Sequence, residues 1–337
     1  MSKWKRLVYF EFWPFWLLYF PAYFNWALLA LRARYTTYFT VVNPLMNNSG
    51  ALNTSKYAYL SKLPKSWIPK TLLIKKTFSI HQIRTQSFSI GLAFPMVVKP
   101  DRGERGKGVK VVHSFKEISE YCSKSSYSDL ILQSYCNLPN EAAFLYYRFP
   151  HEQQGTISSI TVKSFCKVVG DGVSTWGELI QKKPRVNHRL NELRETYTDF
   201  WNNLSEVDEV KIVEPIGSHN LGTKFLDGRD RFSEELMQQV SHWANQLPGF
   251  YYGRFDVKYT HWNGLTKGEH FKLMEVNGVN AEPTHIYDPN QNLGKAYKDI
   301  FSHMKIIHQI STLNQRLGIR PKRLFPFLTE LIQTATK

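Results

Sequence analysis

Two carboxylates and one amide, Asp256, Glu275 and Asn277, stand where a pair of strands would gather them. The run Gly253-Arg254-Phe255-Asp256-Val257-Lys258-Tyr259 and the run Phe271-Lys272-Leu273-Met274-Glu275-Val276-Asn277 each alternate apolar and polar residues, as a half-buried strand does. Between them lie Thr260-His261-Trp262-Asn263-Gly264 and Lys267-Gly268, so a turn-rich connection and antiparallel pairing are expected. Successive side chains on a strand point to opposite faces, which places Arg254, Asp256 and Lys258 together, and Glu275 with Asn277. With Asp256 opposite Glu275, three oxygen ligands converge. Such a set suits Mg²⁺, a hard cation that keeps positions open for water and phosphates. The same residues also read as ordinary polar decoration of a hairpin.

A second stretch bears on phosphate. Met96-Val97-Val98-Lys99 and Val109-Lys110-Val111-Val112 read as strands, and the loop between them carries Gly103, Gly106, Lys107 and Gly108. Glycine permits positive φ and adds no bulk, so such a loop can bring backbone N–H groups against an anion. It has neither the Gly-Lys-Ser/Thr ending of a Walker A loop nor a dinucleotide fingerprint. Lys99 ends an apolar strand, where an ammonium must meet an anionic partner or reach water.

Taken together, these residues resemble the ATP-grasp superfamily. They are most similar to its carboxylate–amine ligases, such as D-alanine–D-alanine ligase, and to the related domain of cyanophycin synthetase. The resemblance runs over residues 50–310 or so, and further positions agree in order. Lys56 and Lys99 match the two nucleotide-gripping lysines. Leu130-Ile131-Leu132-Gln133-Ser134-Tyr135-Cys136 looks like the hinge strand beside the adenine, with Gln133 and Tyr135 as contacts, and Glu141 matches the carboxylate that takes the ribose hydroxyls. Gly170-Asp171-Gly172-Val173-Ser174-Thr175 resembles a segment of the cyanophycin-synthetase branch. Asp256, Glu275 and Asn277 fall on magnesium ligands, and Arg254 on the arginine that steadies the transition state. The resemblance implies ATP and two Mg²⁺ ions (Mn²⁺ substituting), with an acyl phosphate attacked by an amine or a thiol. Lys99 and Arg254 are the implied catalytic side chains. Candidate substrate contacts are His188 and Arg189, Asn220 with its neighbours His219 and Thr223, and Thr284 with His285. His285 would orient or deprotonate an amine, and each of these also reads as solvated surface. Gln133 replaces a common glutamate, but its amide oxygen still accepts a hydrogen bond. Fewer residues precede Lys56 than the family's usual first domain needs.

Those preceding residues are unusual. From Phe12 to Leu31 there is no charged side chain, and aromatic residues dominate a run broken by Pro14 and Pro21. Aromatic rings favour the headgroup boundary of a bilayer. Lys3, Lys5 and Arg6 precede the run, and Arg32 and Arg34 follow it. An in-plane or re-entrant anchor, a single span and a buried hairpin are all compatible, and the Pro21 break favours the first. The 43 basic and 28 acidic residues leave a net charge of +15, which suits an anionic membrane surface met through residues 1–34, or anionic substrates. No nucleic-acid motif is present, and a nucleic-acid partner is not expected. Three dispersed cysteines indicate a reducing compartment, so the cytoplasmic face of the membrane is the expected location.

The expected fold is α+β: an ATP-grasp fold of two α+β lobes with nucleotide between them, after an N-terminal aromatic, helical, membrane-associated segment. Residues 1–40 form that segment, 41–95 a reduced loop-rich stretch, 96–140 the first lobe, 141–310 the second lobe and 311–337 a tail. Residues 182–209 are expected to be mobile. Helices are expected near 115–124 (Ser114 as N-cap) and 233–246. The expected function is an ATP- and Mg²⁺-dependent carboxylate–amine ligase acting on a small-molecule or lipid-linked acid and amine. The alternatives are a non-catalytic nucleotide-binding membrane adaptor, or a phosphotransferase using the same ATP site.

Overall fold

The computed structural model describes residues 9–103 and 106–335. Lys3, Lys5 and Arg6, and residues 104 and 105 of the glycine-rich loop, lie outside the described residues. The protein is a mixed α+β molecule built on antiparallel sheets.

One sheet has four strands in the order β1-β4-β2-β3: β1 (Thr71–Lys75), β2 (Met96–Pro100), β3 (Lys110–Val112) and β4 (Asp129–Ser134). The Ile80–Ser89 and Phe115–Lys124 helices cover it, burying Ile83 and Ile118 against Met96, Val98 and Leu132. Ser79 and Ser114 cap those helices through their side chains, satisfying orphan N–H groups at each start. Because Thr71–Lys75 pairs along β4, this lobe begins well before residue 96, and the 41–95 stretch is not merely an approach to it.

The larger sheet has the order β11-β10-β5-β6-β9: β5 (Asn140–Tyr147), β6 (Thr156–Ser164), β9 (Lys224–Asp227), β10 (Tyr252–Tyr259) and β11 (Phe271–Asn277). Alternation along β5 and β10 sends Ala142, Phe144, Phe255 and Val257 into a core closed by Leu236, Val240 and Trp243 of the Glu234–Asn245 helix. The opposite face is left for polar chemistry. The connection between β10 and β11 is helical over Trp262–Thr266, with the His261 side chain accepting from the Gly264 N–H, rather than a simple turn.

A third, two-stranded sheet pairs β7 (Lys167–Val169) with β8 (Val210–Ile212). The stretch expected to be mobile instead folds into short helices that bury Val186, Leu193 and Trp201 beside Trp176. Charged residues there alternate with apolar ones closely enough to build a small core of their own.

The N-terminal segment is helical over Phe20–Ala33, and Pro21 sits in the first turn, where its missing N–H leaves no hydrogen bond unmade. The short Phe15–Leu18 helix ends just before it, so the apolar run is interrupted here as expected and a new helix starts. No helix among the described residues is long and apolar enough to cross a membrane. One face packs: Leu18 and Ala22 meet Ala296 and Ile300 of the Leu293–Arg316 helix, and Leu29 and Ala30 meet Tyr38 and Met304. Cys122, Cys136 and Cys166 are free thiols, each partly buried.

Candidate active site

Strand register assembles the site. Asp256 lies directly opposite Glu275, and Arg254 opposite Asn277. On the other side of β10, Lys258 faces Glu141, which in turn faces Lys163 of β6. A β-bulge after Asp256 re-aims the β11 partner strand at this point. The expected convergence of Asp256 and Glu275 is present.

Asp256 is a hub. Its carboxylate accepts from Lys163 Nζ at 2.9 Å, Arg254 Nε at 3.0 Å and Asn277 Nδ2 at 3.1 Å. Burial pushes its pKa up, but Arg254 and Lys163 outweigh that and hold the carboxyl below its usual range. Burial likewise disfavours the Lys163 ammonium, yet Asp256 and Glu141 more than compensate, keeping it above the usual lysine range. Lys163 also donates to Glu141 Oε1 at 2.6 Å. The 216–218 loop closes over this pair: a Cβ on Gly217 would sit 2.5 Å from the Glu141 carboxylate, so glycine is required there. Lys163 thus engages one oxygen of Glu141, the residue expected to take ribose hydroxyls.

Lys99 of the first lobe and Lys56, which opens a short helix packed against β11, supply cations nearby. Lys99 is buried at the end of β2 and donates to Gln133 Oε1 at 3.0 Å, while Gln133 Nε2 donates to Thr71 at 2.9 Å. The amide oxygen expected to face an adenine amino group is therefore held by Lys99. Burial lowers the Lys99 pKa to about 8 against the pull of Glu275, and Lys56 lowers it further. Lys56 reaches the Gly103 carbonyl and lies 3.7 Å from Glu275. Its place is set by Asp101, whose buried carboxylate accepts from the Tyr57 N–H at 2.9 Å at the start of the Lys56–Leu60 helix.

Lys56, Lys76, Arg102, Gly103, Glu275 and Asn277, among others, line a cavity of about 370 Å³. Glu275 and Asn277 face it, whereas Asp256 stands one strand further in with its oxygens engaged. Among the described residues no group of three His, Cys, Asp or Glu side chains is placed to hold a metal. Two carboxylates and an amide oxygen are nonetheless the hard donors that Mg²⁺ takes, and the cations opposite them suit phosphate oxygens. The donor set fits Mg²⁺–ATP. Gly106 and Gly108 adopt positive φ, and a Cβ on Gly106 would come within 3.4 Å of Ser218, so the loop reaches the second lobe. Lys107 is exposed, and Tyr135 is partly buried, with burial raising its phenol.

A second cavity, of about 380 Å³, is lined by Glu11, Phe12, Trp13, Arg185, His188, His219 and neighbours. Arg185 Nη2 contacts both Glu11 oxygens at 2.8 and 2.7 Å, and His219 lies 3.1 Å from the same carboxylate. Phe12 covers the Arg185 guanidinium at 5.2 Å. His219 lies against the Tyr287 ring at 5.6 Å in a tilted contact, and the Tyr287 and Tyr19 hydroxyls both donate to Glu282. The Glu282 charge in turn is felt by Arg254.

The substrate candidates part company. His188 and Asn220 line this second cavity, with His188 Nε2 3.1 Å from the Asn220 carbonyl. Arg189 is committed to Glu192 and Glu214. Thr284 bonds Thr161 at 2.9 Å, and His285 is fully buried between Ser159 at 2.6 Å and Asp299 at 2.8 Å. His285 is sealed from solvent and holds neighbouring elements together, so it is not positioned to meet an amine. Lys163, Asp101, Glu11 and Arg185 were not singled out from the sequence, and Glu282 only as part of the 280–285 stretch after β11. Lys163 carried a signal, since it shares a strand face with Thr161 and Ser159. The others become visible only when distant segments meet.

No protein-family model matches the chain, and no curated protein matches it. Solved structures similar in fold include the D-Ala:D-Ser ligase of Enterococcus faecalis, at 11% identity and TM-score 0.43, over 79% of this chain and 64% of that one. A D-alanine–D-alanine ligase of Bacillus anthracis overlaps at 15% identity and TM-score 0.46, over 81% of this chain and 72% of that one. A bifunctional glutathione synthetase of Pasteurella multocida overlaps at 15% identity and TM-score 0.39, over 78% and 37%. The chain thus spans less than two thirds of the first and last of these three. All three are ATP-grasp carboxylate–amine ligases. At such TM-scores the likeness is distant, and the function must be argued from the side chains.

Proposed function

We propose that the protein is an ATP- and Mg²⁺-dependent carboxylate–amine ligase of ATP-grasp type. The observation that carries this is the approach of Lys56 to Glu275, at 3.7 Å, in one cavity with Asn277 and Gly103, while Lys99 of the smaller sheet is near enough to feel the Glu275 charge and the Asp256–Arg254 pair stands one strand further in. Cations for phosphate and hard oxygen donors are thus neighbours, as phosphoryl transfer requires.

In this reading Lys56 and Lys99 bind phosphate oxygens of ATP, with Gly103, Gly106 and Gly108 beside them. Glu275 and Asn277, with Asp256 behind them, would hold Mg²⁺, which would offset the charge of the phosphates. An oxygen of the substrate carboxylate attacks the γ-phosphorus, the bond to the β-phosphate oxygen breaks, and ADP departs from an acyl phosphate. A neutral amine then attacks the acyl carbon, inorganic phosphate leaves, and the amine nitrogen gives up its proton. Arg254, permanently charged and oriented by Asp256, stabilises the oxyanion of that tetrahedral step. Lys163 holds Asp256 and Glu141 in place. The second cavity, bounded by Arg185, His188 and His219, is the proposed pocket for the acid, and Glu11, Phe12 and Trp13 form one of its walls.

The test is ADP release by the purified protein with Mg²⁺-ATP across pooled carboxylates and amines, with Glu275→Gln as the blank. Release that needs both pools is expected. Release that needs a carboxylate pool alone would leave phosphoryl transfer, and no release with ATP still bound would favour the adaptor.

A further inference from the structure

We propose that the outer faces of the Phe20–Ala33 and Leu324–Ala335 helices seat the protein on an anionic lipid surface. The first helix is divided cleanly. Its inner positions Ala22, Leu29 and Ala30 are buried, while Phe20, Phe24, Leu28 and Leu31, at helical spacing, form a stripe turned to solvent. Phe24 is 63% exposed and Leu31 75%, with Trp16 exposed just ahead of them. Contiguous apolar surface of this kind on a folded protein marks a docking site.

The C-terminal helix repeats the arrangement. Phe325, 83% exposed, shares an outer face with Leu328 and Leu331. The two helices meet around Phe39, which packs beside Leu29, Ala30 and Tyr38 and touches the Phe327 ring at 5.4 Å. Thr37 and Thr40 also bond Lys322, just before the second helix. Two stripes thus rest on one support.

Charge selects the occupant. Residues 12–31 carry no charge, exposed Arg32 and Arg34 follow the first stripe, and exposed Arg316, Arg320 and Arg323 precede the second. The single carboxylate of the second helix, Glu330, is taken by Lys322 and Asn47. Aromatic and leucine side chains set at the headgroup boundary, with arginines beside them, are what an in-plane helix presents to anionic lipid. A protein groove takes one amphipathic helix, whereas a lipid surface accommodates both stripes and all five arginines at once. With no described helix long and apolar enough to span, the seat is peripheral. This inference does not rest on the ligase reading, because the binding needs neither ATP nor substrate.

The experiment is co-sedimentation of the full-length protein with phosphatidylcholine vesicles, with and without phosphatidylglycerol. Binding to the mixed vesicles is expected, with the apparent affinity falling about tenfold or more in Phe20→Ser/Phe24→Ser/Leu28→Ser, in Phe325→Ser/Leu328→Ser and in Arg32→Glu/Arg34→Glu. Unchanged circular-dichroism melting shows that a variant has kept its fold. Should the triple variant unfold, the charge-reversed pair carries the comparison, since its side chains are on the surface. Equal sedimentation with and without phosphatidylglycerol, or binding unaffected by the variants, overturns the proposal. So does light scattering that finds an oligomer which the serine variants split into monomers, because the face then belongs to a second copy of the chain.

Discussion

The two cavities of this protein are built in opposite ways. The one lined by Glu275, Asn277 and Lys56 is a product of strand register: neighbouring strands place Asp256 against Glu275 and Lys258 against Glu141, and side-chain alternation does the rest. The one lined by Glu11, Arg185 and His219 is a product of docking. Its central ion pair joins residues 174 positions apart, and neither partner lies in a β-strand. Register is fixed by the hydrophobic pattern, since slipping one residue would expose every core side chain. Docking depends instead on whether an aromatic segment finds a place on the Leu293–Arg316 helix. The first cavity therefore follows from local pattern, and the second from contacts between distant segments.

This contrast can be broken most directly at Glu275. Glu275→Gln keeps the shape and removes a charge, and ATP turnover is expected to fall by about 10²–10³-fold or more, with the melting temperature little changed. Near-normal turnover would remove the metal assignment. Lys163→Met tests whether the register-built site is also structural. It leaves Asp256 and Glu141 buried without their shared cation, and a loss of about 3–5 kcal/mol is expected in a denaturant titration. A variant that unfolds at the same midpoint would show the cluster to be dispensable for stability.

Arg185→Ala sharpens the other side of the comparison. It should raise the KM for the acid about tenfold or more while leaving the affinity for ATP unchanged, because the two cavities are separately built. Equal loss for both ligands would mean that they form one site. A pH titration gives the smallest effect. Burial holds Lys99 at about 8, so below that pH the free protein presents an ammonium to phosphate, and above it a neutral amine that must first regain a proton. Affinity for ATP should be level below pH 8 and fall by about tenfold per unit above it, a dependence that Lys99→Gln should abolish. A flat profile in the parent protein would place Lys99 away from the phosphates.

Much of the register-built half was legible in advance. Alternation in residues 253–259 and 271–277 located the strands, their facing and the meeting of Asp256 with Glu275. The cap at Ser114 marked a helix start correctly, because a serine offers its hydroxyl to the orphan N–H groups, and the helix expected over 233–246 is present at Glu234–Asn245. What failed were inferences from a residue's own neighbourhood. Residues 182–209 looked loose and form a small core; His285 looked like a loop base and is sealed between Ser159 and Asp299. In each case the deciding contact comes from elsewhere in the chain.

Sequence by itself determined the strands, the glycine loop and the set of charges that a phosphate site needs, because those follow from periodicities of two and from the conformational freedom of glycine. Tertiary structure alone decided which charges are spent on one another. Lys163 binds Asp256 and Glu141, Lys99 holds Gln133, Arg189 is tied to Glu192 and Glu214, and Glu11 crosses the molecule to Arg185. A buried charge must find a partner, and burial is a property of the packed molecule that no local run of residues contains.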